Sequence, residues 1–415
     1  MVKIKAFAGL RPQPDKAREV ASKPYDVLNS AEAREEARDN PYSFLRVVKP
    51  EITLPEDTDP YDQAVYQQAK ANFDKLVSDG VLFQDDTDKL YVYRQIWKDY
   101  AQTGLVAASS IDDYFSDHIK KHEYTRPKKE QDRINHMYTS GIHSGPVFLT
   151  YKDVAAIDAI IETVQQHDPA YDFTADDGVQ HTLWVVNDRQ HIERLIELFA
   201  DEVPATYIAD GHHRAASSAK VGKRMREELG GYEGDEPFNY FLSVLFPASQ
   251  LNIIDYNRVV KDLNGLSTKV FLEVLENQFY CWPEDKAYAP EQRHQFGMYV
   301  DGQWYKLQAK KGSYQEDDPV NSLDVAILQQ NVLDEILDIK DPRTDERIDF
   351  VGGIRGLQEL EKRVDSGEMA VAFSLYPVSI QELMRIADEG MVMPPKSTWF
   401  EPKLRSGMVV HQFRK

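Results

Sequence analysis

The stretch Ala205-Thr206-Tyr207-Ile208-Ala209-Asp210-Gly211-His212-His213-Arg214-Ala215-Ala216 gathers the groups in this chain best suited to chemistry. A β-rich run ends at Asp210-Gly211 and an alanine-rich helical run begins at once. The unpaired N–H groups of a first helical turn would therefore point out beside His212, His213 and Arg214. That pattern reads as an anion pocket. Gly211 permits close backbone approach, Arg214 offers a planar fork matching two phosphate oxygens, and the histidines donate hydrogen bonds and add charge near neutrality. A plain solvent-facing turn would explain the junction but not Asp, His, His and Arg together, since none of them improves helix propensity. Zinc ligation by His212 and His213 is disfavoured, because neighbours diverge by about 100° on a helix and no thiolate partners exist.

If phosphate is transferred, a carboxylate must orient the attacking hydroxyl, further cations must neutralise the donor, and magnesium is expected as a companion. Asp26, on the constrained turn Pro24-Tyr25-Asp26, and Glu123, beside His122, both qualify, and the sequence does not separate them. Each also has a plain reading, as a turn residue and as part of a solvated mixed-charge face. Lys120, Lys121, Arg126, Lys128, Lys129 and Arg133 form the one dense basic cluster, and its interleaving with Glu123, Glu130 and Asp132 suits a small polyanion better than a duplex. His136 and His143 are candidates for the same cleft. Near the C-terminus a proline-stiffened loop carries Lys396, Ser397, Thr398, Lys403 and Arg405. Its prolines lower the entropy lost on ordering, so it is suited to close over phosphates. Gly352-Gly353-Ile354-Arg355-Gly356 lacks the ending of a P-loop and reads as a tight turn.

Asp210-Gly211-His212-His213-Arg214-Ala215 resembles the phosphate-binding box of the ParB and sulfiredoxin-like superfamily, in which a strand, a short polar turn with arginine and a helix hold nucleotide phosphates. The whole chain is similar to one group within it, domain-of-unknown-function family ten-fifteen. The features that carry this are Pro24-Tyr25-Asp26-Val27, Asn40-Pro41, Leu45-Arg46-Val47, His122-Glu123, Asp132-Arg133, Gly145-Pro146 and Met393-Pro394-Pro395-Lys396-Ser397-Thr398-Trp399-Phe400-Glu401-Pro402-Lys403. The superfamily includes free-serine kinases, CTP-hydrolysing DNA-partitioning proteins and sulfiredoxin. His212 stands where sulfiredoxin has its cysteine, and no basic DNA-reading helix is evident. The resemblance implies a kinase that moves phosphate from ATP, ADP or pyrophosphate to a small hydroxyl metabolite, with free L-serine the named candidate. Gly211, His212, His213 and Arg214 would seat the donor, and Lys396, Ser397, Thr398, Lys403 and Arg405 would close over it. Asp210, His212 and Arg214, with Asp26 or Glu123, would be catalytic. The alternative is a non-catalytic nucleotide-binding regulator.

These groups need a scaffold, and 415 residues, 42% of them apolar, are enough for two or three units with cores of their own. A net charge of −20 repels nucleic-acid backbones and anionic membranes. No run approaches the roughly 18 apolar residues of a membrane span, so a soluble cytoplasmic protein is expected. The single cysteine, Cys281, sits in Phe279-Tyr280-Cys281-Trp282, which reads as core.

Strands and helices alternate, giving a mixed α/β (α+β) class. Helices are expected at 30–38, capped by Asn29 or Ser30, at 61–79 and at 154–166. Strands are expected at 89–96, 103–109, 146–151, 181–186, 239–246 and 371–377. The segment 111–138 reads as amphipathic and charged, and 259–275 carries helical signals interrupted by Asn264-Gly265. Asp301-Gly302 marks a hairpin, and Ser379-Ile380-Gln381-Glu382 is a capping box. The division expected is 1–255, a ParB-like phosphate-binding domain, and 256–415, an additional α+β region contributing a loop to the site.

Overall fold

A computed structural model describes residues 1–414. The chain divides into two compact units, Met1–Leu251 with the segment from Pro402 onward, and Asn252–Glu401. The chain leaves the first unit at Leu251, and its end returns to that unit. Backbone hydrogen bonds from Ser406 to Ser22 and from Val410 to Leu10, and the pairing of His411–Gln412 with Ile142–His143, hold it there. Such pairing is long-range and leaves no periodic signal in the tail.

In the first unit a nine-stranded mixed sheet runs in the order Ile119–Lys120, Thr206–Asp210, Val147–Tyr151, Tyr240–Pro247, Tyr100–Ser110, Leu90–Trp97, Gln180–Val186 and Tyr171–Thr174. Ile4–Lys5 adds to Tyr100–Ser110. Thr206–Asp210 pairs in parallel with Ile119–Lys120, and Tyr240–Pro247 with Val147–Tyr151; the other neighbours are antiparallel. Tyr240–Pro247 is buried along its whole length, as its apolar run, interrupted only by Ser243, predicts. The hairpin Leu90–Trp97/Tyr100–Ser110 turns more tightly than expected, on Lys98 and Asp99.

The segment 111–138 is not one amphipathic stretch. Ser110 caps the short helix Ile111–Phe115, Ile119–Lys120 joins the sheet edge, and Pro127 opens the helix Pro127–Ser140 at its first position. Gly141, with φ of +75°, ends that helix. The helix His212–Leu229 packs Ala215 and Ala219 into the sheet core, while Val221 and Met225 meet Met137 and Phe238.

The second unit is built on a six-stranded antiparallel sheet, ordered Phe279–Glu284, Gln303–Ala309, Gln295–Val300, Val371–Leu375, Tyr256–Val260 and Ile348–Gly352. The Asp301-Gly302 hairpin and the Ser379 capping box form as expected, and of the two caps offered at 29–30 it is Asn29 that serves, in a capping box with Glu32. The helical reading of 259–275 is corrected. Residues 256–260 form a strand, Asn264 and Gly265 take left-handed φ values of +53° and +76°, and the helix begins only at Thr268. The core reading of residues 279–282 is corrected as well. Strand alternation buries Phe279 but turns Tyr280 and Trp282 outward, with Cys281 half-buried. Among the described residues no helix is long and apolar enough to cross a membrane.

Candidate functional site

Thr206–Asp210 delivers the chain to Gly211, whose φ of +96° lets the strand turn into the helix His212–Leu229 within one residue. No side chain caps that helix start. Arg214 is only 4% exposed. Its Nη1 donates to the carbonyl of Pro146, and its Nη2 lies 3.6 Å from Asp210 Oδ2. Its Nε is buried with no hydrogen-bond partner. Lys403 Nζ reaches the same Asp210 oxygen at 3.1 Å. Burial works against ionising Asp210, yet Lys403 and then Arg214 outweigh it and hold the carboxyl well below the usual range.

The two histidines do not carry the charge expected of them. Burial pulls His212 down to about 3, and His213 is lowered for the same reason, so both are neutral at pH 7. His212 Nε2 accepts from the His122 N–H at 3.4 Å, and the His122 ring meets His212 edge-on at 4.4 Å. His213 Nε2 accepts from the Arg126 N–H at 2.9 Å. In each neutral ring the proton therefore resides on Nδ1.

Asp26 is exposed on its turn, and its charge acts on Tyr25, His213 and Arg214. The Tyr25 ring lies 4.2 Å from the guanidinium of Arg133, which pairs with Asp132 at 2.8 Å. Tyr25, Arg133, His136, Gly145 and Arg214 wall a cavity with room for about one water molecule. His136 meets the Val47 carbonyl at 2.8 Å and is pulled down to about 4 by burial and by Arg133. Segments far apart in sequence thus meet at one place. Tyr25 and the Pro146 carbonyl were not assigned roles from sequence, although the motifs Pro24-Tyr25-Asp26-Val27 and Gly145-Pro146 contain them, and Arg133 was read only as part of the basic cluster.

Other candidates fall elsewhere. Glu123 is half-buried beside His122. The basic run is not one patch: Lys121 covers Tyr114, Lys128 covers Tyr61, and Arg133 is buried. His143 is buried, with Nδ1 3.0 Å from that of His411. Arg405 is buried against Asp177, and its Nε donates to His181 Nε2 at 3.3 Å. Lys396, Ser397 and Thr398 belong to the second unit, where Lys396 is exposed near Tyr256 and Ser397 Oγ donates to the Pro394 carbonyl at 2.6 Å.

Among the described residues no three His, Cys, Asp or Glu side chains stand together as a metal-ligand set. Asp210 is already claimed by two cations. These residues do not fit a protein-held magnesium site, and the ion would have to arrive on the donor's phosphates, as it commonly does.

A family described as proteins of unknown function, DUF1015, matches residues 4–326. The chain belongs to this family. The DUF1015 match includes Asp26, Glu123 and residues 210–214, whereas the loop bearing Lys396, Lys403 and Arg405 lies beyond it. No curated protein matches the chain. Among solved structures, a conserved hypothetical protein from Pyrococcus furiosus is similar at 14% identity over 74% of this chain and 95% of that one, with a TM-score of 0.36. A free serine kinase variant in complex with AMP is similar at 13% identity over 74% and 91%, with a TM-score of 0.37. C-terminally truncated SbnI from Staphylococcus aureus is similar at 12% over 72% and 85%, with a TM-score of 0.31.

Proposed function

We propose that the chain is a phosphotransferase that seats a nucleotide or pyrophosphate on residues 211–214 and passes its terminal phosphate to a small hydroxyl metabolite, with free L-serine the leading candidate. The ParB-like reading of the strand, turn and helix is part of this proposal. The observation that carries it is the buried Nε of Arg214, without a partner beside an uncapped helix start. A buried guanidinium N–H left unbonded is costly, and a phosphate oxygen would satisfy it together with first-turn N–H groups.

In this reading Arg214 and Lys403 neutralise charge on the transferred group, with Asp210 holding both cations in place. Neutral His212 and His213 serve as hydrogen-bond donors through Nδ1. Asp26, whose charge is felt at Arg214 and His213, accepts the hydroxyl proton as the acceptor oxygen bonds to phosphorus and the bond to the leaving phosphate breaks. The test is transfer of labelled phosphate from ATP, ADP or pyrophosphate to L-serine and other hydroxyl metabolites, with magnesium present. Arg214→Gln should lower the rate by about tenfold or more, the worth of one charge-assisted contact. No transfer from any donor to any acceptor overturns the reading.

The burial of His212 and Arg214 favours one second reading. A ligand that must open existing contacts also suits a regulator that changes shape on binding. Thermal stabilisation by nucleotide without turnover over hours would select it.

A further inference from the structure

One short loop, joining Ile119–Lys120 to the helix Pro127–Ser140, is tied to the corner through both of its histidines. The His122 N–H donates to His212 Nε2 at 3.4 Å, and the Arg126 N–H donates to His213 Nε2 at 2.9 Å. A third tie comes from Glu130. Its carboxylate accepts from Thr125 Oγ1 at 2.7 Å and pairs with Lys220, which stands on the helix His212–Leu229. Pro127 at the first helical position sets where the loop ends. Loop and helix start are thus bonded into one piece.

Tyr124 stands midway between the two pinned N–H groups and is 71% exposed. Two residues of backbone span at most about 7 Å, so its Cα lies within that distance of those of His122 and Arg126. Among the described residues neither its ring nor its hydroxyl has a partner. The residues around it do have partners: Lys121 donates to the Tyr114 carbonyl, and His122, Thr125 and Arg126 make the ties above. Tyr124 therefore contributes nothing to holding the loop. A large flat ring kept in solvent within a few ångströms of a candidate phosphate seat points to a ligand with a flat face.

We propose that Tyr124 stacks on the base of a nucleotide whose phosphates rest at residues 211–214, so that the donor is a nucleoside diphosphate or triphosphate and not pyrophosphate. This rests on the reading of that corner as the donor's seat and narrows the donor to one class. Stacking on an aromatic side chain asks only for a π-face, which every base has. Pyrophosphate offers phosphates to the corner but nothing to the ring. An exposed ring gives up no packing when it turns onto a base, and tyrosine, with two χ angles, loses little freedom in doing so.

The test is calorimetric titration of the full chain with ADP and, separately, with pyrophosphate, magnesium present, using wild type, Tyr124→Ala and Tyr124→Phe. Tyr124 is exposed, so both variants should fold, and thermal melting checks this. Tyr124→Ala should lower the preference for ADP over pyrophosphate about tenfold, the worth of one stacked base, and Tyr124→Phe should keep it. The inference is overturned if the alanine variant keeps the wild-type preference, if phenylalanine loses as much as alanine, or if wild type binds pyrophosphate but not ADP. Wild type binding neither would remove the seat and the stack together. Binding with the expected preference but no phosphate transfer would instead remove the transferase reading and leave Tyr124 in place.

Discussion

The guanidinium of Arg214 lies over Gly211, so that a Cβ placed at 211 would stand 2.9 Å from Nε and 3.0 Å from Cζ. The absent side chain and the arginine fold are therefore one device. Glycine both permits the φ of +96° and leaves the space that Arg214 fills.

Gly211→Ala meets two penalties, a left-handed conformation costing roughly 1–2 kcal/mol and displacement of Arg214. A lower melting temperature is expected, together with loss of any stabilisation that wild type gains from nucleotide. An alanine variant that keeps the full nucleotide-induced shift would show that the position of Arg214 does not matter for binding.

Lys403 gives a pH signature. Burial alone would raise the Asp210 carboxyl, but Lys403, ahead of Arg214, keeps it depressed in the folded state. A depressed carboxylate contributes stability in full above its unfolded value of about 3.9, and that contribution fades as pH falls toward the folded value. Lys403→Met should cost stability at pH 7 and flatten the further loss below about pH 4. Urea denaturation at pH 7, 4 and 3 reads this directly, and curves parallel to wild type across that range would contradict it.

Arg405, two residues on, should behave differently. It is 6% exposed and its charge is met by Asp177, with His181 accepting from Nε, so Arg405→Met leaves both without their partner. A destabilisation of roughly 1–3 kcal/mol is expected, discounted because Asp177 is partly exposed. Ligand affinity of the folded fraction should stay unchanged. A variant of normal stability that binds nucleotide poorly would return Arg405 to the site.

Local chemistry was readable from the chain alone. The cap at Asn29, the Ser379 capping box, the Asp301-Gly302 hairpin and the largely apolar strand 240–247 each depend on residues a few positions apart, and each forms. The corner at 210–214 was readable for the same reason, since strand end, glycine and helix start are contiguous. Where a helical reading ran too far, as over 259–275, sheet pairing with Ile348–Gly352 and Val371–Leu375 made residues 256–260 a strand.

The types and order of the chemical groups followed from the sequence by itself: a glycine-led turn, two histidines, an arginine and a cationic C-terminal loop. Which acid each cation neutralises, and that the two histidines stay uncharged, did not. Lys403 and Arg405 stand in one loop, yet one holds Asp210 and the other Asp177. His212 is neutral because it is buried against His122, 90 residues away in the chain. Charge pairing and desolvation depend on distances through space between segments, and those exist only once the sheet has brought the segments together.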